Sequence, residues 1–442
     1  MTKPSDSEQS GQTQTQGEGK LGIIDKKISR RDLLRMAGVG GAGLLLGATG
    51  MGGLFSAQER SSAKPASQTA KVDSDQMVSF YGTHQAGITT PPQDFIVFAS
   101  FDLTAGSLDE VRKLFQAWTT AAATMASGEM LGSNNDNLNL PPSDTGEAAG
   151  LSPSRTTITF GVGASFFDGR YGLAGKRPAA LADLPPFGGD ELREEWSGGD
   201  IGVQVNANDL QIAFHAIRNL ARIARGKAVL RWTQEGFQRT SGADPAGATP
   251  RNLMGFKDGT NNPDVNDDAE MKKVVWAAAS DGTPWMDQGS YMVVRRIRVR
   301  IEVWDRSSLG DQENTFGRHR SSGAPLGSAN ETDKLDLEKK DQKGEPVIPM
   351  NAHIRLAHGD GSVKILRRSF SYSSGMDNKT GQLDAGLLFI CFNRDSRKQF
   401  IPMQTKLGQS DLLNEYIVHT GSATFACFPG VREGGYIGET LF

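Results

Sequence analysis

Cysteine is nearly missing from this sequence. Its two copies among 442 residues, Cys391 and Cys427, cannot build a disulfide framework, and their spacing matches no zinc pattern. A single bridge between them is the only cross-link left open. A surplus of one charge sign is missing too: the formal net charge is −3, whereas a polyanion-binding surface needs a clear excess of Lys and Arg. Nucleic acid is therefore not expected as a partner. Long apolar runs are absent apart from one Gly-rich stretch, 36–58. Histidine is scarce as well. None of the six stands at short metal-ligand spacing from another, so a zinc site is disfavoured.

What remains is ordinary globular material, 37% hydrophobic and 22% charged, long enough for two or three domains with a large core. The first 75 residues differ. Residues 1–19 are rich in Ser, Gln, Thr and Gly and bury too little to offset the entropy of ordering, so 1–75 reads as a disordered leader. Within it, S-R-R-x-L-L at Ser29 to Leu34, with Arg30 and Arg31 adjacent, precedes the mildly apolar run and matches a twin-arginine export signal. The alternative is a membrane anchor, which the glycines weaken. Cleavage after Ala57 or Ala63 fits. A twin-arginine route delivers folded protein, often with a cofactor inside, to the periplasm, the cell surface or the medium. The long hydrophilic leader fits a Gram-positive surface slightly better.

From Gln76 the pattern becomes regular. DFIVFASFDL (94–103) is strand-like, and Leu108, Val111, Leu114, Phe115 and Trp118 then recur at helical spacing. TTITFGVG and DIGVQVNAN alternate as strands; DLQIAFHAIRNLARIARG is a helix that Gly226 stops; AVLRW is a further strand. The order βαββαβ is the ferredoxin-like unit. The second half repeats this grammar less cleanly. YMVVRRIRVRIEVWDR reads as one long half-buried strand, SLGDQENTF as a helix, VKILRRSFSY and GLLFICF as strands, and DLLNEYIVHTG as a helix. The expected fold is α+β, with two ferredoxin-like domains over 76–245 and 246–442 joined as a duplicated barrel-like unit. The polar stretch 327–346 reads as a surface loop.

Two stretches carry candidate chemistry. GFKDGTNNP, Gly255 to Pro263, sets one Lys-Asp pair among turn residues and on composition alone is a surface turn. In NAHIRLA, His353 and Arg355 share one face of a strand-like segment, and Arg367 follows in LRRSF; a cation beside a neutral imidazole suits a metal centre that also carries carboxylates. The other histidines read as structural. No C-x-x-C-H exists, which disfavours covalent haem attachment.

GFKDGTNNP, FGRHRSSGAPLG, NAHIRLA and ILRRSFSY, in this order behind a ferredoxin-like half and a twin-arginine leader, resemble the dye-decolourising (DyP-type) haem peroxidases, and most closely their exported subgroup tied to bacterial iron uptake, the deferrochelatase/peroxidase group. The resemblance runs from FYGTHQAGI (80–88) to the C-terminus. It implies one non-covalent haem b per chain with His353 as the iron ligand, Asp258 of G-x-x-D-G as the distal acid-base residue and Arg367 beside it. It implies Arg355 and Arg318 near the haem propionates, Gly259 and Phe389 against the ring, and Asp411 or Glu415 as the acceptor for the ligand imidazole.

Peroxide must lose a proton from one oxygen and gain one on the other before its O–O bond breaks, and one carboxylate can carry that proton. A fixed cation would stabilise the charge on the leaving oxygen. A carboxylate ordinarily titrates near pH 4, which suits acidic conditions. The resemblance thus implies hydrogen peroxide as oxidant, with small donors, dyes or ferrous iron as reductant, an iron permease in the membrane as a partner, and a homo-oligomer left open. Large dyes would give up electrons at the surface through Trp232, Trp285, Trp304, Tyr372 or Tyr416. The rivals are release of iron from haem with the porphyrin intact, and a non-catalytic haem-binding protein, which would lack G-x-x-D-G.

Overall fold

The computed structural model describes residues 77–442 except 133–136, 241, 245–246 and 379; the twin-arginine segment and the apolar run after it lie outside the described residues. Among the described residues no helix is long and apolar enough to cross a membrane.

Nine strands share one sheet: β1 (Phe95–Leu103), β2 (Thr157–Gly163), β3 (Ile201–Ala207), β4 (Ala228–Phe237), β5 (Ser290–Val299), β6 (Leu366–Arg367), β7 (Phe370–Asp377), β8 (Gln382–Asn393) and β9 (Ile417–Cys427). Their order is β5-β9-β2-β3-β1-β4-β7-β8-β6, and β5 also pairs with β8, so the sheet closes into a barrel. The helices are α1 (Leu108–Ala126), α2 (Leu210–Ile223), α3 (Asp268–Val274), α4 (Ile301–Trp304), α5 (Leu309–Phe316), α6 (His353–His358) and α7 (Phe400–Ser410).

The N-terminal half follows its periodicity. Ser107 and Asp209 cap α1 and α2 by accepting the amides of Glu110 and Ile212. In β1, Ile96 and Phe98 join the barrel interior with Met292, Leu388 and Phe425, while Val97, Ala99 and Phe101 pack under α1 and α2. Burial on both faces explains why this strand reads as one continuous apolar run.

The C-terminal half departs from the expected pattern in three places. The long strand ends at Val299 and α4 follows it. The strand is also not half-buried: Arg295 and Arg296 are each 1% exposed. Carboxylates make that burial tolerable. Arg295 pairs with Asp190, Arg298 with Asp377 at 3.0 Å, and Arg296 with Asp384 at 2.8 Å, between the rings of Trp196 and Tyr372. The alternation of arginine with aliphatic residues therefore marks two buried faces. Finally, DLLNEYIVHTG is not a helix. Asp411 caps a single tight turn, Leu412–Glu415, and the β-branched residues from Ile417 onward open β9. The helix of this region is α7, one segment earlier.

Two seams in the barrel are narrow. β4 meets β7 at one registered pair, Phe237 with Ser371, and β2 meets β9 over three. Where β2 leaves β9, residues 190–198 run alongside instead: the amides of Glu191, Arg193 and Gly198 donate to the carbonyls of His419, Thr420 and Ser422 at 2.9–3.0 Å. Cys391 and Cys427 are buried and unbridged. Trp232, Trp285, Trp304, Tyr372 and Tyr416 are all buried, as core aromatics are.

Candidate active site

The GFKDGTNNP stretch is a turn, but it lies against the sheet and lines a cavity. Asn262 fastens it to β6 twice: its Nδ2 donates to the Arg367 carbonyl at 2.8 Å and its Oδ1 accepts the Arg367 amide at 3.0 Å. The Asp258 amide donates to the carbonyl of Pro250 at 2.9 Å. These bonds set the carboxylate against the guanidinium of Arg367, Nη1 to Oδ1 at 2.5 Å, with both side chains about one-quarter exposed. Gly259 has φ +121°, which only glycine adopts readily, and a Cβ there would have no atom nearer than 3.9 Å. The backbone thus presents open space on this side.

His353 begins α6, which corrects the strand-like reading of NAHIRLA. Residues two apart in a helix point about 200° apart, so His353 and Arg355 do not share a face. The Nδ1 of His353 meets Oδ2 of Asp411 at 2.6 Å. Burial disfavours a charged imidazole, but the charge and hydrogen bond of Asp411 outweigh it and hold the His353 pKa above its ordinary value. Asp411 comes from the end of α7 and is buried, whereas Glu415 is exposed. No hydrogen bond engages Nε2 among the described residues. The 30% of the His353 side chain that is accessible borders the cavity.

That cavity holds about 570 Å³ and is lined by His353, Asp411, Asp258, Gly259, Arg367, Arg318 and Phe389, among others. Arg318 donates to the carbonyls of Gly323 and Glu331, at 2.6 and 3.2 Å, and no carboxylate reaches it at ion-pair distance among the described residues. Burial pushes its pKa down, against the support of nearby Glu331. An imidazole with a free Nε2, a cation short of a counter-ion, the open space over Gly259 and the apolar walls of Phe389, Ile354 and Leu335 together fit a macrocycle bearing a metal and carboxylates. The volume lies within the roughly 300–1,000 Å³ of ligand pockets.

Arg355 stands apart from these. Its guanidinium is taken up by the carbonyls of Leu337, Ile348 and Pro349, and it does not line the cavity. The loop 327–346, expected at the surface, instead supplies a wall through residues 331–335. Its polar composition hid this; the one signal was a Glu that could answer the Lys of GFKDGTNNP. Arg295 and His419 also border the cavity, with Asp190 reaching in from the first half. Burial and the Arg295 charge push the His419 pKa down to about 3. His215 is a buried partner of Asp144 at 2.8 Å, and His84 stacks on Trp276.

Comparison with known proteins agrees with this geometry. Residues 85–238 match the family model for the Dyp-type peroxidase N-terminal region, and 249–432 match that for the C-terminal region. The chain is 40% identical over 370 residues to the deferrochelatase of Escherichia coli K12, covering 82% of this chain and 86% of that protein. It is 37% identical over 409 residues to the deferrochelatase of Yersinia pestis, covering 91% and 93%. Among solved structures, a DyP-type peroxidase from Streptomyces coelicolor matches with a TM-score of 0.77 at 42% identity, over 83% of this chain and 96% of that one. Ferric DtpA from Streptomyces lividans matches with the same TM-score at 41% identity and the same coverage.

Proposed function

The chain belongs to the Dyp-type peroxidase family, and from that premise we propose that Asp258 is the proton carrier of a haem b peroxidase acting outside the cytoplasm. The protein is a haem-dependent oxidoreductase with peroxide as its oxidant. Haem, when bound, supplies the iron that receives peroxide and the electrons that reduce it. His353 would hold that iron through Nε2, with Asp411 fixing the proton on Nδ1 and so the tautomer. Arg318 would neutralise a propionate.

The observation that carries the reading is the Asp258–Arg367 pair in the cavity that His353 lines. Asp258 takes the proton from one peroxide oxygen and returns it to the other, which leaves as water. Arg367 holds the carboxylate in place and faces the charge that grows on the leaving oxygen. Replacing Arg367 by Leu should slow the peroxide step by about 10²- to 10³-fold, because the leaving oxygen loses its fixed cation. Stopped-flow absorbance checks this; a variant at the wild-type rate would remove Arg367 from the step.

For the reductant, the resemblance to the exported iron-uptake subgroup supports ferrous iron, with a membrane iron permease receiving the ferric product, and the same enzyme would take electrons from dyes at its surface. Release of iron from intact haem is the second reading, which the relatives named deferrochelatase support. The Asp258–Arg367 pair weighs against it, being apparatus for splitting peroxide. Export would follow Arg30 and Arg31. Changing both to Lys should leave unprocessed protein inside the cell, and normal secretion of that double variant would refute the route. We also read 76–245 and 246–442 as copies of one βαββαβ unit. Their matching orders, β4-β1-β3-β2 and β7-β8-β5-β9 read in reverse, support this.

A further inference from the structure

Lys257, the other charged residue of GFKDGTNNP, has no role in the chemistry above. Its ammonium pairs with Glu331 of the loop 327–346, and both side chains are more than four-fifths buried on the cavity wall. Glu331 does more than answer that charge. Its Oε1 accepts the Thr260 hydroxyl at 2.9 Å, and its main-chain carbonyl accepts Nη1 of Arg318 at 3.2 Å. Burial opposes its charge, but hydrogen bonds from Lys257, Thr249 and Thr260 prevail and hold its pKa below the usual carboxylate value.

One carboxylate thus grips the residues on both sides of Asp258 and Gly259. The arrangement is built into a third segment as well: a Cβ on Gly323, which has φ +78°, would stand 2.7 Å from Cδ of Lys257. A turn with glycine at 255 and 259 has much backbone freedom to lose, so its flanks need anchors. Asn262 anchors the C-terminal side to β6, the Asp258 amide is tied to Pro250, and Glu331 adds the side-chain grip on Lys257 and Thr260.

We infer that Glu331 is a positioning residue for the distal site: it clamps the Asp258 turn through Lys257 and Thr260, and the Lys257–Glu331 pair keeps the charge beside Asp258 balanced. Asp258 pairs with Arg367 from β6 and shares the cavity lining with Lys257 of its own turn, Glu331 of the loop 327–346, Arg318 and His353. Removing one member of the pair unbalances the other. Lys257→Met and Glu331→Gln each weaken that grip and leave the partner's charge buried and unpaired, so each should slow the peroxide step. Because the two residues act as one clamp, the double variant should lose little more than either alone.

The inference rests on Asp258 as proton carrier, and the experiment separates the two. The haem-loaded protein, the three variants, Glu331→Ala and Asp258→Asn are compared by stopped flow across pH and by hydrogen exchange of residues 250–263. Glu331→Ala should slow the peroxide step by about 10- to 100-fold, the loss expected of a misplaced catalytic group, and should speed exchange in 250–263 while leaving β1 and β8 unchanged. Single variants at the wild-type rate, losses that simply multiply in the double variant, or unaltered exchange in the turn, would overturn the inference. A full-speed Asp258→Asn enzyme would instead sink the proton-carrier reading, with the exchange result still judging the clamp.

Discussion

Asp258→Asn should slow the peroxide-driven change of the haem spectrum by roughly 10²- to 10⁴-fold, the usual worth of a general acid-base residue, while haem content stays normal. Asparagine matches aspartate in shape and keeps an oxygen for Nη1 of Arg367, so the turn and its ties to Pro250 and, through Asn262, to β6 should persist. What the amide cannot do is take up a proton. Were Asp258 only a turn residue, the same change would cost little. Stopped-flow mixing with peroxide decides between the two. Formation at the wild-type rate would leave the distal chemistry to Arg367 alone.

The second large effect concerns haem retention. His353→Ala should purify with little haem or with a weakened and shifted Soret band, because among the described residues it removes the one imidazole that both borders the cavity and hydrogen-bonds a buried carboxylate through Nδ1. Loss of an outer-shell partner such as Asp411 costs about 10- to 100-fold in metal affinity; loss of the ligand should exceed that. Acid-acetone should extract the haem of the wild-type protein completely, since no cysteine pair offers thioether attachment. An unchanged spectrum in the variant would move the ligand to another of the cavity-lining histidines, His358 or His419.

Much of the N-terminal half is legible because its signals are local: strand and helix periods, and Gly226 beyond the end of α2. The C-terminal half was harder for physical reasons. Arg296 alternating with Ile297 looks like a wet face and a dry one, and nothing nearby in sequence announces that Asp384 and the rings of Trp196 and Tyr372 will bury the arginine. The turn before β9 was read as a helix because Leu412, Leu413 and Tyr416 mimic helical spacing, while the β-branched run behind them belongs to the barrel. In the site, short motifs single out Asp258, His353 and Arg367, which line one cavity. No motif marks Glu331 or Asp190, because each acts on a partner more than 70 residues away and sits in a segment whose composition suggests only solvent. Arg355 differs: the resemblance implies it near the propionates, whereas its guanidinium is held by the carbonyls of Leu337 and Ile348 and it does not line the cavity.

The stretch 190–198 has one more consequence. A strand whose carbonyls and amides face outward is an adhesive surface, ready to accept a strand from any neighbouring chain. Barrel closure removes most such surfaces here, but β2 releases β9 after three residues and would leave His419 to Ser422 open. Residues 190–198 fill that gap with hydrogen bonds from within the same chain. They therefore act as a built-in mask against self-association, and a proteolytic nick there would turn a closed barrel into one with a sticky rim.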